Sequence, residues 1–338
     1  MDFLNTPIKN QFRWSPLHKC NYLIDPDINI FPNINLILPK KYIGIEVEVE
    51  KVPKIAYIND HIWNIKEDGS LRNSGLEFVS TPLCGNQIKV ALQTLFTETI
   101  PIDADFSERT SIHIHINMRD SLCNELINLV LLYIVFERLF YKFAGPERYE
   151  NIFCVPVQET KLPIAVANYL IYQDINILIR EWQKYSGLNL APLRNFGTVE
   201  YRHMKGHRDP IYLLKWINLI FRLHKYAKKN SFLNLFNYIK TLNSTSLYEE
   251  FIKVVFRDEA DYLLSPQLKQ DMEQGVSTVK SISLPSKFFT NLISNIENNS
   301  PLLKSIVISK TAVKPLVNNP LNFDIDIMNN FVPNQVQL

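Results

Sequence analysis

In residues 43–50, IGIEVEVE, apolar and acidic side chains alternate without a break from Ile45 onward. A period of two marks an extended strand, because successive side chains point to opposite faces. Ile45, Val47 and Val49 therefore share one face, and Glu46, Glu48 and Glu50 the other. Three later stretches repeat the design. In GLEFVS (75–80) Glu77 lies opposite Leu76 and Phe78. In SIHIHIN (111–117) His113, His115 and Asn117 alternate with Ile112, Ile114 and Ile116. In TVEYRH (198–203) Thr198, Glu200 and Arg202 stand opposite Val199, Tyr201 and His203. A further strand over 61–67 reaches 75–80 through the turn Asp68-Gly69-Ser70, which implies an antiparallel hairpin.

Between these strands the period changes to that of helices. Residues 86–97 are helical, and Asp120 or Ser121 is expected to cap a long apolar helix that runs to about Phe143. A helix over 164–184 should break near Gln173 and Asp174, and Asp209-Pro210 should open another that reaches about Lys229. The fold class is α+β, an antiparallel sheet with helices packed on its apolar face. Residues 1–40, irregular and marked by prolines, read as a leader over the main domain. Residues 41–230 form that domain, and 231–338 a helical accessory region that ends in an Asn- and Pro-rich tail. The apolar run Leu126–Phe136 closes on Glu137 and Arg138, too short for a membrane span, so no membrane partner is expected.

Composition removes several functions. Lys plus Arg number 36 against 34 Asp plus Glu, a balance that gives no electrostatic footprint for nucleic acid. The cysteines Cys20, Cys84, Cys123 and Cys154 form no CxxC pair, which fits reduced thiols in a cytoplasmic protein and argues against structural zinc. No glycine-rich phosphate loop is present, so a nucleotide would be held through metals and side chains.

If the four strands share one sheet, the polar face collects Glu46, Glu48, Glu77, His113, His115, Glu200 and Arg202. One guanidinium cannot neutralise so many carboxylates, and a divalent cation such as Mg²⁺ or Mn²⁺ answers the repulsion. Plainer readings exist beside this one. Glu50 fits a solvated strand end, Asp68 a turn that binds its own backbone, and Asn117 a strand cap. Arg148, Asn151, Asn189 and Arg194 suit loops that bridge backbone groups, and His203, on the apolar side, suits a satisfied core histidine.

Taken in order, GIEVEVE, DGSLRNSGLEFVSTPL, HIHIN, GPERYENIFCVP and GLNLAPLRNFGTVEYRH resemble the amidoligase family of ATP-dependent carboxylate–amine ligases. These are relatives of glutamine synthetase and glutamate–cysteine ligase. The resemblance, from about 42 to 220, implies a glutamine-synthetase-like sheet whose concave face holds ATP and Mg²⁺ (or Mn²⁺). It implies that Glu46 and Glu48 feed adjacent metal sites and that Glu77 joins one of them. A histidine of HIHIN, His113 in preference to His115, and Glu200 would complete the other. Asp68 lies in a turn that the family keeps near its metals. Arg202 matches the arginine at the transferring phosphoryl group. Arg148, Asn151, Asn189, Arg194 and Asn117 become candidates for nucleotide or substrate binding. Independently of the resemblance, the base for the incoming amine is Glu50 or another carboxylate of the site, between which the sequence does not choose.

The implied reaction joins a small-molecule or peptide carboxylate to an amine. A carboxylate is a poor electrophile, so amide formation needs activation to an acyl phosphate, and a site built on metals and an arginine suits that step. Strand-borne His and Glu also make two-metal hydrolases or nucleases, the competing activity. A non-catalytic binding protein that keeps the fold is the third reading.

Overall fold

Each alternating stretch forms a strand. A computed structural model of the chain describes residues 2–19, 30–52, 61–157 and 160–282. Cys20 and the Asn- and Pro-rich tail lie outside the described residues. The strands are β1 (Ile43–Val49), β2 (Trp63–Glu67), β3 (Leu76–Ser80), β4 (Ser111–Asn117), a two-residue β5 (Leu188–Asn189) and β6 (Thr198–Lys205). They make one sheet in the order β2-β3-β1-β4-β6-β5, antiparallel at every pairing. The order places the acidic strand β1 beside the histidine strand β4 at the centre. The register then sets Glu46 opposite His113, Glu48 opposite Glu77 and His115 opposite Glu200.

One irregularity interrupts the ladder. Ile114 faces Tyr201 while Ile112 faces Met204, so β6 carries one residue more than β4 there, a bulge. The extra residue lets His203 and Met204 both turn into the core. Ile45, Val47, Phe78, Ile112, Ile114, Ile116, Val199 and Tyr201 are all fully buried on the apolar face.

The helices are α1 (Asn86–Thr94), α2 (Cys123–Ala144), α3 (Leu162–Tyr172), α4 (Ile175–Glu181), α5 (Pro192–Asn195), α6 (Pro210–Lys229), α7 (Phe232–Thr241), α8 (Thr245–Phe256) and α9 (Leu268–Ser281). A π-helical turn, Leu95–Thr99, extends α1. Helix α2 is the hub. Its Tyr133 ring meets the edges of Tyr201 and His203 on β6, with centroids 6.4 and 5.5 Å away. Helices α6 and α9 pack along its other sides, which explains why the run Leu126–Phe136 is buried all round, its one amide, Asn128, included. Among the described residues, no helix is long and apolar enough to cross a membrane.

Local signals set most boundaries. Gln173 takes a left-handed conformation at φ 56°, and the Asp174 carboxylate accepts the Asn176 N–H, so the break falls where the sequence places it. Asp209 accepts the N–H groups of Ile211 and Tyr212 and caps α6 as expected. The expected cap on α2 is not formed. That helix starts at Cys123 after Leu122, with no side-chain bond. The leader supplies the missing acceptor, because the Cys123 N–H donates to the Thr6 carbonyl at 3.0 Å.

Helix α9 approaches α2 without an intervening side chain. A Cβ on Gly275 would lie 2.3 Å from Ile134 O and 2.9 Å from the Val135 Cα, both backbone atoms that cannot step aside. Gly275→Ala is therefore expected to destabilise by about 1–3 kcal/mol, although the same change inside a free helix gains about 1 kcal/mol. Urea unfolding gives the sign. A stabilised variant would show that α9 is not seated on the α2 backbone.

Candidate active site

The register gathers the polar face into two groups of acceptor atoms. One ligand atom each from Glu46, His113 and Glu200 lies within 4.8 Å of the others, and so does one each from Glu48, Glu77 and His113. In the first group His113 Nδ1 stands 3.1 Å from Glu46 Oε2 and 3.3 Å from Glu200 Oε1. His115 Nε2 lies 3.2 Å from the other Glu46 oxygen, and its Nδ1 meets Thr198 Oγ1 at 3.1 Å. Arg202 Nη1 donates to Glu200 Oε1, and Asn189 Nδ2 donates to Glu200 Oε2 at 2.6 Å. The face is recessed: the Glu46 side chain keeps 22% of its exposure and that of Glu200 5%.

Electrostatics divide the carboxylates. Burial opposes the charge on Glu46, but hydrogen bonds from His113 and His115 hold its carboxyl far below the usual range. Burial opposes Glu200 as well, and the nearby His115, His113 and Arg202 still hold it down. The partners shift the other way, with His115 and Arg202 raised despite burial. Glu77 has weaker support, from His113 and Lys66. Burial first, then the charges of Glu46 and Glu48, push it up to about 7. The cluster thus holds more negative charge than its own cations balance. Carboxylate oxygens with one imidazole nitrogen suit Mg²⁺ or Mn²⁺, and both groups fit such an ion.

The remaining candidates surround this core without entering either group. Glu50, expected at a solvated strand end, is buried instead. Its Oε1 accepts the Arg72 N–H at 2.7 Å, and its backbone bridges Asp105 in both directions. The loop after β2 folds over it, which strand alternation cannot foresee. Asp68 binds its own turn, accepting the Ser70 N–H at 2.7 Å, and Asn117 accepts the Arg119 N–H at 3.0 Å. Asn151 does the same for Phe153 at 2.8 Å, and Arg194 is exposed on α5. Arg148 is buried behind β6, where its Nη2 donates to the Arg202 carbonyl at 3.1 Å. Of the expected nucleotide or substrate ligands, only Asn189 touches the cluster.

Behind the sheet, a second polar network fixes β6. Tyr133 donates its hydroxyl to Glu137 Oε1 at 2.7 Å and lies 3.0 Å from His203 Nε2; the same Glu137 oxygen accepts the Val157 N–H. His203 is the core histidine that its parity implies, but only its Nε2 is paired, with Tyr133; its buried Nδ1 has no hydrogen-bond partner among the described residues. Burial, with Arg148 nearby, brings it down to about 3. Gly187 has to be glycine here, since a Cβ would sit 2.5 Å from the Tyr133 hydroxyl and 2.6 Å from His203 Nε2.

One residue of the cluster went unmarked in the sequence. Ser111 donates its N–H to Glu48 Oε2 at 2.8 Å and its hydroxyl to the same oxygen at 2.7 Å. The signal was present: Ser111 has the same strand parity as His113 and His115. A lone serine carries no metal chemistry by itself, so parity was its sole marker.

The shift at Glu77 has a sign that can be checked. Its native pKa of about 7 exceeds the ordinary carboxyl value, so the metal-free fold binds this proton more tightly than the unfolded chain. That contribution is whole below the unfolded pKa and is lost as pH rises towards 7. Glu77→Gln should therefore raise the Tm of metal-free protein at about pH 8 and leave it little changed at about pH 5. An equal effect at both values would refute the raised pKa.

The family model described as "Putative amidoligase enzyme" matches residues 41–223, more than half of the chain. The match spans every member of both acceptor groups and ends inside α6. No curated protein matches the chain. An α+β sheet with an acid- and imidazole-lined face, carrying the ordered motifs of that family, leads to one conclusion: the chain belongs to the amidoligase family of enzymes.

Proposed function

We propose that the protein is an ATP- and Mg²⁺-dependent ligase that joins a carboxylate to an amine through an acyl phosphate. The carrying observation is the first acceptor group, Glu46, His113 and Glu200, with the Arg202 guanidinium bonded to Glu200. In this reading the sheet is glutamine-synthetase-like and the recessed polar face is its concave side. Residues 41–230 form the catalytic domain, and the helices after 231 brace α2 as an accessory region.

Glu46, His113 and Glu200 would hold one divalent ion, and Glu48 with Glu77 a second. Bound there, the ions would supply positive charge to the ATP phosphates and to the phosphoryl group in transfer. Arg202 adds a fixed planar donor. Its Nε is held by the Phe153 carbonyl at 3.2 Å and its Nη1 by Glu200, so little reorganisation is needed when charge develops. Glu50, on the same strand parity and oriented by the Arg72 N–H, is the candidate to take the amine's proton. No Ser, Cys or Lys nucleophile is needed, since ATP activates the acid directly.

The substrates are a small-molecule or peptide carboxylate and an amine. Hydroxylamine can stand in for the amine, trapping an acyl phosphate as a hydroxamate. ADP release that needs Mg²⁺ and a carboxylate, with hydroxamate formed, supports the ligase. Phosphodiester or peptide hydrolysis without ATP would replace it with the hydrolase reading.

Metal and nucleotide together are expected to raise the Tm, because a ligand selective for the native state shifts unfolding by mass action. No shift at millimolar Mg²⁺ and ATP would count against the site. Arg202→Lys keeps a charge but loses the planar fork. ADP release should fall by roughly 10²-fold or more while nucleotide affinity changes little. Wild-type turnover in this variant would remove Arg202 from the mechanism.

A further inference from the structure

Residues 151–154 make a tight turn with apolar corners. The Cys154 N–H donates to the Asn151 carbonyl at 2.9 Å, and the Asn151 side chain accepts the Phe153 N–H at 2.8 Å. Ile152 and Phe153 thus take the two central positions, where turns ordinarily place Gly, Asn, Asp, Ser or Pro. Ile152 keeps 73% of its exposure there. Leaving a side chain of that size in water forgoes about 1.5–3 kcal/mol of burial. A single exposed isoleucine is ordinary on a protein surface, but this one has neighbours. The Phe153 ring meets Tyr185 edge-on with centroids 5.8 Å apart, and Tyr185 is itself 40% exposed.

The patch borders the arginine of the candidate site. The Phe153 carbonyl accepts the Arg202 Nε–H at 3.2 Å, so the turn corner and the guanidinium are joined directly. The Val155 N–H donates to the Tyr185 carbonyl at 2.6 Å, and the Gly187 N–H returns to Val155 at 3.2 Å. The Arg202 N–H then donates to the Gly187 carbonyl at 2.8 Å, which ties both halves of the patch to β6. An apolar surface held this firmly costs little to order when a ligand covers it.

We propose that Ile152, Phe153 and Tyr185 form the specificity surface for the acid substrate, selecting carboxylates with an apolar body. The inference rests on the ligase reading given above, in which Arg202 lies at the transferring phosphoryl group. In an acyl phosphate that group is bonded to the acid's own carboxyl oxygen. The carbon chain of the acid therefore begins beside Arg202, where the apolar corner stands. Lys184 lies over the Tyr185 ring at 5.3 Å, so an acid with a charged far end is the alternative to separate.

The test uses the full chain with Mg²⁺, ATP and hydroxylamine, which has no carbon body and keeps the amine constant. Hydroxamate formation is compared for isocaproate, acetate and glutarate, with melting temperatures as the control for folding. Wild-type kcat/KM should be highest for isocaproate. Ile152→Ser and Tyr185→Ser should each lower that value about 10-fold, mainly through KM, and leave acetate nearly unchanged. Ile152→Leu should retain the preference. Saturation-transfer NMR reads the contact without turnover: the isocaproate methyl protons should receive saturation from the wild type and lose it in Ile152→Ser. The absence of a wild-type preference for isocaproate would overturn the proposal. An equal loss for all three acids would do so too, because the turn would then only position Arg202. Hydroxamate formed without dependence on Ile152 would keep the ligase and remove the surface. An Ile152-dependent NMR contact without ADP release would keep the surface and remove the ligase, and neither contact nor turnover would overturn both.

Discussion

Four carboxylates on one face of a sheet repel one another, and strand pairing holds them there regardless. Glu46 and Glu48 are two residues apart, about 7 Å along the strand. At that separation each pair costs about 2 kcal/mol for an effective dielectric near 20. The opposite face offsets the cost. Burying one large aliphatic side chain contributes about 1.5–3 kcal/mol, and β1 and β4 together bury Ile45, Val47, Ile112, Ile114 and Ile116 completely. The sheet can therefore carry an acidic face that its own cations do not balance. This imbalance makes added positive charge electrostatically favourable at the recessed face.

The elements that define the site were legible because period-two alternation depends on no distant partner. Glu46, Glu48, Glu77, His113, His115, Glu200 and Arg202 all share the face that parity assigns them. The different placement of His113 and His115 follows from register, which alternation alone does not give: His113 stands opposite Glu46, His115 opposite Glu200. Glu50 was misread for a similar reason. Its burial is decided by Arg72, whose loop closes over the strand end. The α2 cap came from a leader backbone carbonyl more than a hundred residues upstream, which no local rule can supply. Asp68 and Asn117 took the plain turn and cap roles that their side chains favour in any short loop.

Arg148 shows where residue type alone misleads. An arginine in a polar loop invites a role in anion binding, but its guanidinium is buried behind β6 and directed at a peptide oxygen. The bulge makes that oxygen reachable. By adding a residue to β6, it sends His203 and Met204 into the core and takes the Arg202 carbonyl out of the regular ladder.

That carbonyl collects two donors, Arg148 Nη2 at 3.1 Å and Cys154 Sγ at 3.3 Å, while the Arg202 side chain reaches back to Phe153. Arg202 is thus stitched to the 148–154 segment through its peptide and its guanidinium alike. The positive charge on the front of the sheet is moored from the rear. A volume change at the buried Cys154 thiol would be transmitted through one peptide unit as a translation of that charge. A site tuned by distance can in this way be detuned by a residue that never faces it.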